Sequence, residues 1–425
     1  MSKWQTRKLG EISEMCLGKM LDGKKNKGEF QPYLANINVR WGGFDLSSLN
    51  KMRFEDTEQE RYGLKFGDLV VCEGGEPGRC AIWKDQVQGM KIQKALHRVR
   101  INSGHSNEFV YYRLLLANKN RELAKHFIGS TIKHLTGIGL KQVEFSFPIF
   151  EEQQKIAAVL SALDAKIDCN NRINAELESM AKTLYDYWFV QFDFPFDFAS
   201  GKPAPNGKPY KSSGGKMVYN STLKREIPAG WKGGTLDDLG QIVGGSTPST
   251  KNPENFTADG TSWITPNDLS DNQGNKFISR GAQDVSAEGL KDAALKKYPA
   301  GTVLLSSRAP IGYMAIARNE LTTNQGFKSF IPTNGYSTAF IYYTVKNSLK
   351  AITQYASGST FKEVSATVLK TVKISLPDSK VVGQFSKSVE PIFKRQDLLE
   401  QENQHLTQLR DWLLPMLMNG QVTVK

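Results

Sequence analysis

The chain has 425 residues, 39% of them hydrophobic and 10% aromatic, so its length and composition allow two or three globular domains. Its net charge of +12 and sequence pI near 9.3 favour a polyanionic partner, nucleic acid first and an anionic membrane surface second. We expect no membrane span, because no run of about 18 apolar residues occurs, and no secretory signal, because the first residues lack an apolar region. The cysteines form no C-x-x-C pair, which indicates reduced thiols in a cytosolic protein; they are Cys16, Cys72, Cys80 and Cys169.

Residues 1–150 mix strand and helix patterns. Residues 69–72 form a short apolar run after a glycine turn, and residues 143–147 alternate until Pro148, which predicts two strands. Residues 109–125 have apolar side chains at helical spacing. The mixture predicts an α/β or α+β domain.

A long helix is predicted from Glu151 to about Phe189, because the chain has no glycine or proline there. Its apolar residues recur every seven positions in two rows, which is typical of a helix that packs lengthwise on another. Asn170 and Asn174 fall in these rows, and we expect such polar positions to fix the register. The predicted interface residues on this helix are Ile156, Leu160, Leu163, Ile167, Leu177 and Leu184.

Residues 191–230 are predicted to be a linker, because they are rich in proline, glycine and polar residues. The aromatic residues at its start are expected to pack on the end of the long helix.

Residues 231–377 repeat the first unit at an offset between 227 and 234. For example, Phe-Val-Tyr-Tyr at residues 109–112 is matched by Phe-Ile-Tyr-Tyr at residues 340–343. Strands are predicted at 303–305 and 372–376, and a helix at 338–355. A duplicated domain followed by a helix is the simplest account, with an internal pseudo-two-fold axis.

Residues 378–420 form the matching C-terminal helical region. Gly383 and Pro391 are predicted to divide it into a short helix at 379–389 and a longer one that restarts at Pro391. The end is expected near Pro415 and Gly420. The predicted interface residues here are Phe385, Ile392, Leu399, Leu406 and Leu413.

The sequence offers no convincing catalytic or metal site. Residues 252–256 imitate poorly the loop of an amino-methyltransferase, and residues 201–208 have one residue too many for a Walker loop. The histidines lack metal-ligand spacing, and no Asp…Glu-x-Lys nuclease triplet is convincing. Glu73 and Glu76 near Arg79 could form a carboxylate pair, but Ser307 and Pro310 in the second unit favour a loop role.

Basic and amide side chains occur in the glycine-rich turns of both units. Arg and Lys can reach guanine edges, Asn and Gln can bridge adenine, and others position a protein on phosphates. A solvated surface role stays open for each of them. The candidate DNA contacts are Lys24, Lys25, Lys27, Arg40, Trp41, Arg79, Lys94, Arg98, Lys133, Arg308, Tyr313, Asn324, Gln325, Lys328 and Lys362.

Three segments resemble the specificity subunit of type I restriction–modification systems. They are residues 140–156, which run from Leu-Lys-Gln-Val to Glu-Glu-Gln-Gln-Lys-Ile; residues 207–231, which end in Leu-Lys-Arg-Glu-Ile-Pro-Ala-Gly-Trp; and residues 409–420, which begin Leu-Arg-Asp-Trp-Leu-Leu-Pro-Met-Leu. The resemblance covers the whole chain. Residues 380–384 depart from it, because they lack the Glu-Gln pair that the family often has there.

The resemblance implies two target-recognition domains, residues 1–150 and 231–377, held apart by two antiparallel helices at 151–190 and 378–420, with the linker at 191–230. It implies a cytoplasmic, non-catalytic subunit that binds double-stranded DNA. Its partners would be two modification subunits, which methylate adenine with S-adenosylmethionine, and restriction subunits, which use ATP and Mg. No cofactor or metal would be bound by this chain.

The duplicated unit also predicts how DNA is read. A helix of about 35 residues spans about 52 Å, which corresponds to roughly 15 base pairs. The turns differ between the units, so we predict a bipartite, asymmetric site with a fixed gap.

Two alternatives stay open at this point. The chain could be a fragment or relative of a single-chain methyltransferase–nuclease, in which case it would transfer methyl groups alone. It could also be an interaction scaffold with incidental positive charge, in which case DNA binding would be absent or insensitive to salt.

Overall fold

The structure is a computed structural model that describes residues 4–23, 26–195, 209–308, 310–354 and 363–424. Lys24, Lys25, Lys362 and the segment 201–208 lie outside the described residues. The chain divides into two compact units. Unit 1 comprises Met1–Asp168 and Gln404–Lys425, and unit 2 comprises Cys169–Asn403.

Unit 1 is a mixed α/β structure built on a four-stranded sheet. Its strands are β1 (Gln5–Lys8), β2 (Ser13–Leu17), β3 (Glu29–Leu34), β4 (Val39–Arg40), β5 (Gly43–Phe44), β6 (Asn50–Phe54), β7 (Leu69–Cys72), β8 (Cys80–Ile82), β9 (Lys91–Ile92), β10 (Leu96–Ile101) and β11 (Glu144–Phe147). Its short helices are α1 (Gln59–Tyr62), α2 (Asn107–Lys119) and α3 (Gly137–Lys141). The predicted strands at 69–72 and 143–147 are confirmed. The helix predicted at 109–125 ends earlier, and a 3-10 turn follows at Glu122–His126.

The long helix α4 (Phe150–Tyr185) has 36 residues and ends in a π-helical turn at Asp186–Val190, so the helix predicted at 151–189 is confirmed. Gln153 fixes its start. This buried amide donates to the carbonyl oxygen of Pro148 at 2.9 Å and accepts from the backbone N–H of Ser106 at 3.0 Å.

Unit 2 has a five-stranded sheet at its centre. Its strands are β12 (Met217–Asn220), β13 (Arg225–Pro228), β14 (Lys232–Thr235), β15 (Gly240–Val243), β16 (Phe256–Thr257), β17 (Thr261–Ile264), β18 (Phe277–Ile278), β19 (Gln283–Val285), β20 (Val303–Leu305), β21 (Met314–Ala317), β22 (Thr322–Thr323), β23 (Ser329–Pro332) and β24 (Lys373–Leu376). Its shorter helices are α5 (Pro266–Asp271), α6 (Ala287–Asp292), α7 (Thr338–Gln354) and α8 (Ala366–Leu369).

The last helix, α9 (Ser379–Met418), has 40 residues and continues through Gly383 and Pro391. The predicted break at Pro391 is therefore wrong. Lys387 and Pro391 are both exposed, so the carbonyl that loses its N–H partner lies on the solvent side. Val389 and Ile392 pack against the core on either side of Pro391, and this packing keeps the helix continuous. Among the described residues, no helix combines the length and apolar character needed to cross a membrane.

The strand order confirms the internal repeat. The central sheet of unit 1 has the order β2-β10-β7-β8, and that of unit 2 has β15-β23-β20-β21, with β18 added at the edge. A second sheet repeats a parallel pair, in which Tyr33 faces Lys91 in unit 1 and Trp263 faces Thr322 in unit 2. These pairs occupy corresponding places in the two halves.

The turn before the central strand is also repeated. Gly67 and Gly301 both have positive φ, at 89° and 84°. The first residue of the following helix donates to the glycine carbonyl in each unit, from Asn107 at 2.9 Å and from Thr338 at 2.9 Å. Duplication therefore extends to side-chain hydrogen bonds.

The long helices pack on each other within each unit. In unit 2, Asn170 donates to Asn403 Oδ1 at 2.9 Å, and Gln396 donates to the carbonyl oxygen of Asn174 at 3.3 Å. Numbers rise on α4 as they fall on α9, so the two helices run antiparallel, as predicted.

In unit 1, Arg410 of α9 pairs with Asp164 of α4 at 2.8 Å. Tyr112 of α2 donates to the same carboxylate at 2.7 Å. Of the predicted interface residues, Ile156, Leu160, Phe385 and Leu399 are buried, and Leu163, Ile167, Leu177, Leu184, Ile392, Leu406 and Leu413 are partly buried.

The described part of the segment 191–230 is folded against the core of unit 2. Phe194 stacks between Tyr210 and Trp231, with ring centroids 4.6 Å and 5.7 Å away. It shares one apolar core with Trp188 and Phe189 at the end of α4, as expected. Strands β12 and β13 form a hairpin in this segment.

Candidate nucleic-acid interface

Loops from separate strands meet at one end of the central sheet of unit 1. We call this group loop cluster 1: residues 17–19, 34–38, 73–79, 93–95 and 128–135. Backbone hydrogen bonds join these loops. The N–H of Glu73 donates to Ala95 at 2.9 Å, that of Leu135 to Glu73 at 2.7 Å, and that of Gln93 to Leu34 at 3.0 Å. The frame is therefore fixed independently of its side chains.

Unit 2 has an equivalent group, loop cluster 2: residues 244–247, 264–268, 306–308, 310–313, 323–328 and 363–364. The same bonds recur in the same order. The N–H of Ser307 donates to Gly326 at 2.8 Å, that of Val364 to Ser307 at 2.9 Å, and that of Asn324 to Ile264 at 3.0 Å. The two clusters thus share a backbone frame but differ in side chains.

A close backbone approach requires glycine at one position in each cluster. A Cβ atom on Gly18 would lie 2.4 Å from the carbonyl oxygen of Gln93, and one on Gly245 would lie 1.8 Å from that of Thr323. Both obstacles are backbone atoms, so no rotamer change relieves them.

Arg79 is anchored by hydrogen bonds within loop cluster 1. Its guanidinium donates to Asn36 Oδ1 at 2.7 Å and to Glu76 Oε2 at 3.2 Å. The other oxygen of Glu76 accepts from the indole N–H of Trp41 at 2.6 Å. Glu76 is thus an anchor within the loop, as the sequence favoured. Arg40 lies beside this group and is exposed.

Three candidate lysines of unit 1 are exposed at different places. Lys94 lies in loop cluster 1, where its backbone N–H donates to Lys19 at 2.9 Å. Lys133 lies in the 128–135 loop, and its ammonium donates to the carbonyl oxygen of Gly129 at 2.8 Å. Lys27 precedes β3, at the end of that strand remote from the cluster.

Arg98 lies inside the unit. Its side chain is 2% exposed and pairs with Glu14. It also donates to the backbone carbonyls of Glu60 at 2.8 Å, Arg61 at 2.9 Å and Gly63 at 3.2 Å. Its hydrogen bonds serve the fold, so we leave it out of the DNA surface proposed below.

In loop cluster 2, Gln325 is exposed and hydrogen-bonds to the hydroxyl of Thr247. Lys328 lies 3.8 Å from Glu363, and Asn324 accepts from the N–H of Gly326 at 2.8 Å. The remaining described candidates, Arg308 and Tyr313, are partly buried.

A buried histidine ties the 128–135 loop to the sheet. Nε2 of His97 lies 3.1 Å from the carbonyl oxygen of Leu135 and 3.7 Å from Glu73. Burial lowers the pKa of His97, although the negative charge of Glu73 opposes this shift. The imidazole is therefore mostly neutral at neutral pH and acts as a structural clamp.

Sequence reasoning missed Asn36 and Thr247, which hold Arg79 and Gln325 in place. Thr247 follows the glycines 244 and 245, which is a signal that the sequence carries, whereas Asn36 has no glycine beside it. The clusters present hydrogen-bond donors and cations, which suits recognition of bases and phosphates. Within the described ranges, no group of His, Cys, Asp or Glu side chains could hold a metal ion.

Comparisons with known proteins agree on one family. Residues 1–179 and 228–408 match the family model described as the type I restriction modification DNA specificity domain. The chain is 29% identical over 471 aligned residues to the HindI specificity subunit of Haemophilus influenzae, covering 99% of this chain and 100% of that one. It is 40% identical over 193 residues to the MjaIX specificity subunit of Methanocaldococcus jannaschii, covering 43% of this chain and 44% of that one.

A solved structure supports the fold. The S subunit of a type I restriction–modification system from M. genitalium covers 98% of this chain and 96% of its own, with a TM-score of 0.57 and 16% identity. Since the family model matches well over half of the chain, the chain belongs to the type I restriction–modification DNA specificity family: it is a specificity subunit, the non-catalytic component that determines which DNA target is methylated or restricted.

Proposed function

We propose that this specificity subunit reads an asymmetric DNA sequence in two parts, one with each loop cluster. The observation that carries the proposal is the repeated frame, in which Glu73 and Ser307 make equivalent backbone bonds. The exposed side chains on this frame differ, with Lys94 in loop cluster 1 and Gln325 at the equivalent place in loop cluster 2. Equal frames with unequal side chains would place two readers that prefer different bases. The net charge of +12 supplies the attraction to phosphates.

The side chains divide by chemistry. Arg40, Arg79 and Lys94 in unit 1 would favour guanine edges or phosphates, and Asn324 and Gln325 in unit 2 would favour adenine. The other proposed contacts are Trp41 and Lys133 in unit 1 and Arg308, Tyr313 and Lys328 in unit 2.

We propose that the chain acts in the cytoplasm within a complex with two modification subunits and, for cleavage, restriction subunits. The modification subunits would supply S-adenosylmethionine for adenine methylation, and the restriction subunits would use ATP and Mg. The family to which the chain belongs supports this division of labour.

The length of the helices is proposed to set the unread gap. Phe150–Asp168 of α4 belongs to unit 1, and Cys169–Tyr185 belongs to unit 2. Removing seven residues from each of α4 and α9 shortens a helix by about 10 Å, or roughly three base pairs. An unchanged gap in the methylated motif would reject this part of the proposal.

Methylome sequencing of cells that express the subunit with its cognate modification subunit tests the main proposal. We expect a methylated motif of two short specified parts with a fixed gap. Arg79→Ala should relax positions in one part only, and Gln325→Ala positions in the other part only. Lys84→Ala is the matched control, because this exposed cation follows β8, at the end of that strand opposite to loop cluster 1. A contiguous motif, or two variants that relax the same part, would refute the proposal.

A further inference from the structure

A turn closed by the same kind of hydrogen bond lies within each loop cluster, at residues 35–38 and 265–268. In unit 1, the backbone N–H of Ala35 donates to Asn38 Oδ1 at 2.9 Å. In unit 2, the N–H of Thr265 donates to Asp268 Oδ2 at 2.7 Å. The offset is 230 residues at each end of the turn, so the two turns are copies of one device.

The fourth residue of each turn also anchors the turn to a neighbouring segment. Asn38 donates to the carbonyl oxygens of Asp45 at 3.0 Å and Ser48 at 3.2 Å. Asp268 accepts from the backbone N–H of Ala282 at 2.7 Å. The turns are therefore held from both sides, and their direction is fixed before any ligand binds.

The second residue of each turn faces its loop cluster. Asn36 donates to the carbonyl oxygen of Gly74 at 2.6 Å and accepts from Arg79. Pro266 lies against Gly326, since a Cβ atom there would be 3.0 Å from the proline ring. Both turns thus adjoin the loops proposed to read DNA.

The third residue of each turn projects into solvent. Ile37 is 72% exposed, although the backbone of its turn is held in place on both sides. Asn267 is the equivalent residue and is also exposed. Among the described residues, neither side chain makes a hydrogen bond to another group.

We propose that Ile37 and Asn267 are base-reading residues, with Ile37 contacting a thymine methyl group and Asn267 an adenine edge. An aliphatic side chain offers only apolar contact, and in the major groove the thymine methyl is the apolar group. An amide can bond to adenine N6 and N7 together. The inference rests on the proposed two-part reading and adds one specified base to each part.

The test uses the full chain with its cognate modification subunit and DNA duplexes that carry the methylated motif with single-base changes. Replacing the thymine read by Ile37 with uracil removes only the methyl group and should weaken binding by the native complex about fourfold. The Ile37→Ala complex should bind both duplexes equally. Replacing the adenine read by Asn267 with another base should weaken DNA binding by the native complex about 5-fold to 150-fold. The Asn267→Ile complex should bind the original and the changed duplex with equal affinity.

Phe66→Ala is the matched control. Phe66 is 70% exposed but precedes β7, at the opposite end of that strand from loop cluster 1. This variant should keep every base preference of the native complex. Ile37→Asn should change the preferred base at one position in one half of the motif and leave the other half unchanged.

The inference would be overturned if the Ile37→Ala complex still bound the thymine duplex more tightly than the uracil duplex, as the native complex does. A uniform loss of binding to all duplexes would also overturn it, because a folding or phosphate-contact role has that effect. A contiguous native motif would instead overturn the two-part proposal, so the two failures are distinguishable.

Discussion

Replacing Glu178 with alanine is expected to destabilise unit 2 by about 3–5 kcal/mol, because it removes the carboxylate that is paired directly with a buried ammonium group. The ammonium of Lys276 lies 2.6 Å from Glu178 Oε2, and its side chain is 3% exposed. It also donates to Gln396 at 2.7 Å and to Tyr343 at 3.0 Å, and neither is charged. Lys346 also pairs with Glu178 but is 37% exposed, so losing that pair adds little.

The same substitution should change the pH dependence of stability. Burial lowers the pKa of Lys276 from 10.5 to about 8, although the negative charge of Glu178 opposes the shift. Between these values the unfolded chain holds a proton that the folded chain has released, so stability rises with pH. Without Glu178 the folded pKa falls further, and the rise should begin below pH 8.

Urea titration followed by hydrogen exchange of peptides around residues 276–278 and 340–346 would report on unit 2 by itself. Lys276→Met is the control, because it removes the buried charge together with its need for a partner. It should lower the free energy of unfolding by less than Glu178→Ala does. The double variant Glu178→Ala with Lys276→Met should be more stable than Glu178→Ala alone. The reasoning fails if Glu178→Ala costs under about 1 kcal/mol, or if Lys276→Met costs more than it does.

Three further substitutions test the helices and the loops. Asn170→Leu removes a fully buried amide that bonds to Asn403, so we expect more than one helix register in cysteine cross-linking; a single register would contradict this. Gly245→Ala places a methyl group 1.8 Å from the backbone oxygen of Thr323. It should lower the free energy of unfolding, measured by thermal unfolding, by about 1–3 kcal/mol. Lys94→Ala should weaken DNA binding evenly across sequences and reduce the salt slope by about 1, and a base-specific effect would contradict a phosphate contact.

The long-range architecture could be predicted from the sequence because it follows from periodicity. The seven-residue rows identified α4 and its partner, and the offset near 230 identified the duplicated unit. Pro391 misled the prediction, because a proline rule treats every helix position alike. In the structure this residue is on the exposed face, and packing of Val389 and Ile392 outweighs the lost hydrogen bond.

The site was less predictable because residue type does not reveal whether a side chain points into the core or toward the loop surface. Arg79 and Arg98 are both arginines of unit 1, yet one anchors a loop and the other is buried beneath α1 residues. Only the strand register decides between them, since Arg98 pairs with Val70 in the centre of the sheet. Ile37 could not be identified from the sequence for a related reason. An isolated aliphatic residue normally indicates a core position, and the exposure of Ile37 depends on the turn that Asn38 closes.

The repeat explains how specificity can change while the fold does not. The bonds that define each loop cluster are between backbone atoms, and the closest approaches are at Gly18 and Gly245, where no side chain is present. A substitution at an outward position such as Ile37 or Asn267 therefore disturbs none of the bonds that hold the frame. On the reading proposed above, selection on the DNA target acts on such outward positions, whereas selection on stability acts on the backbone frame. This division accounts for two halves that match in strand order and turn geometry yet differ in the side chains they present.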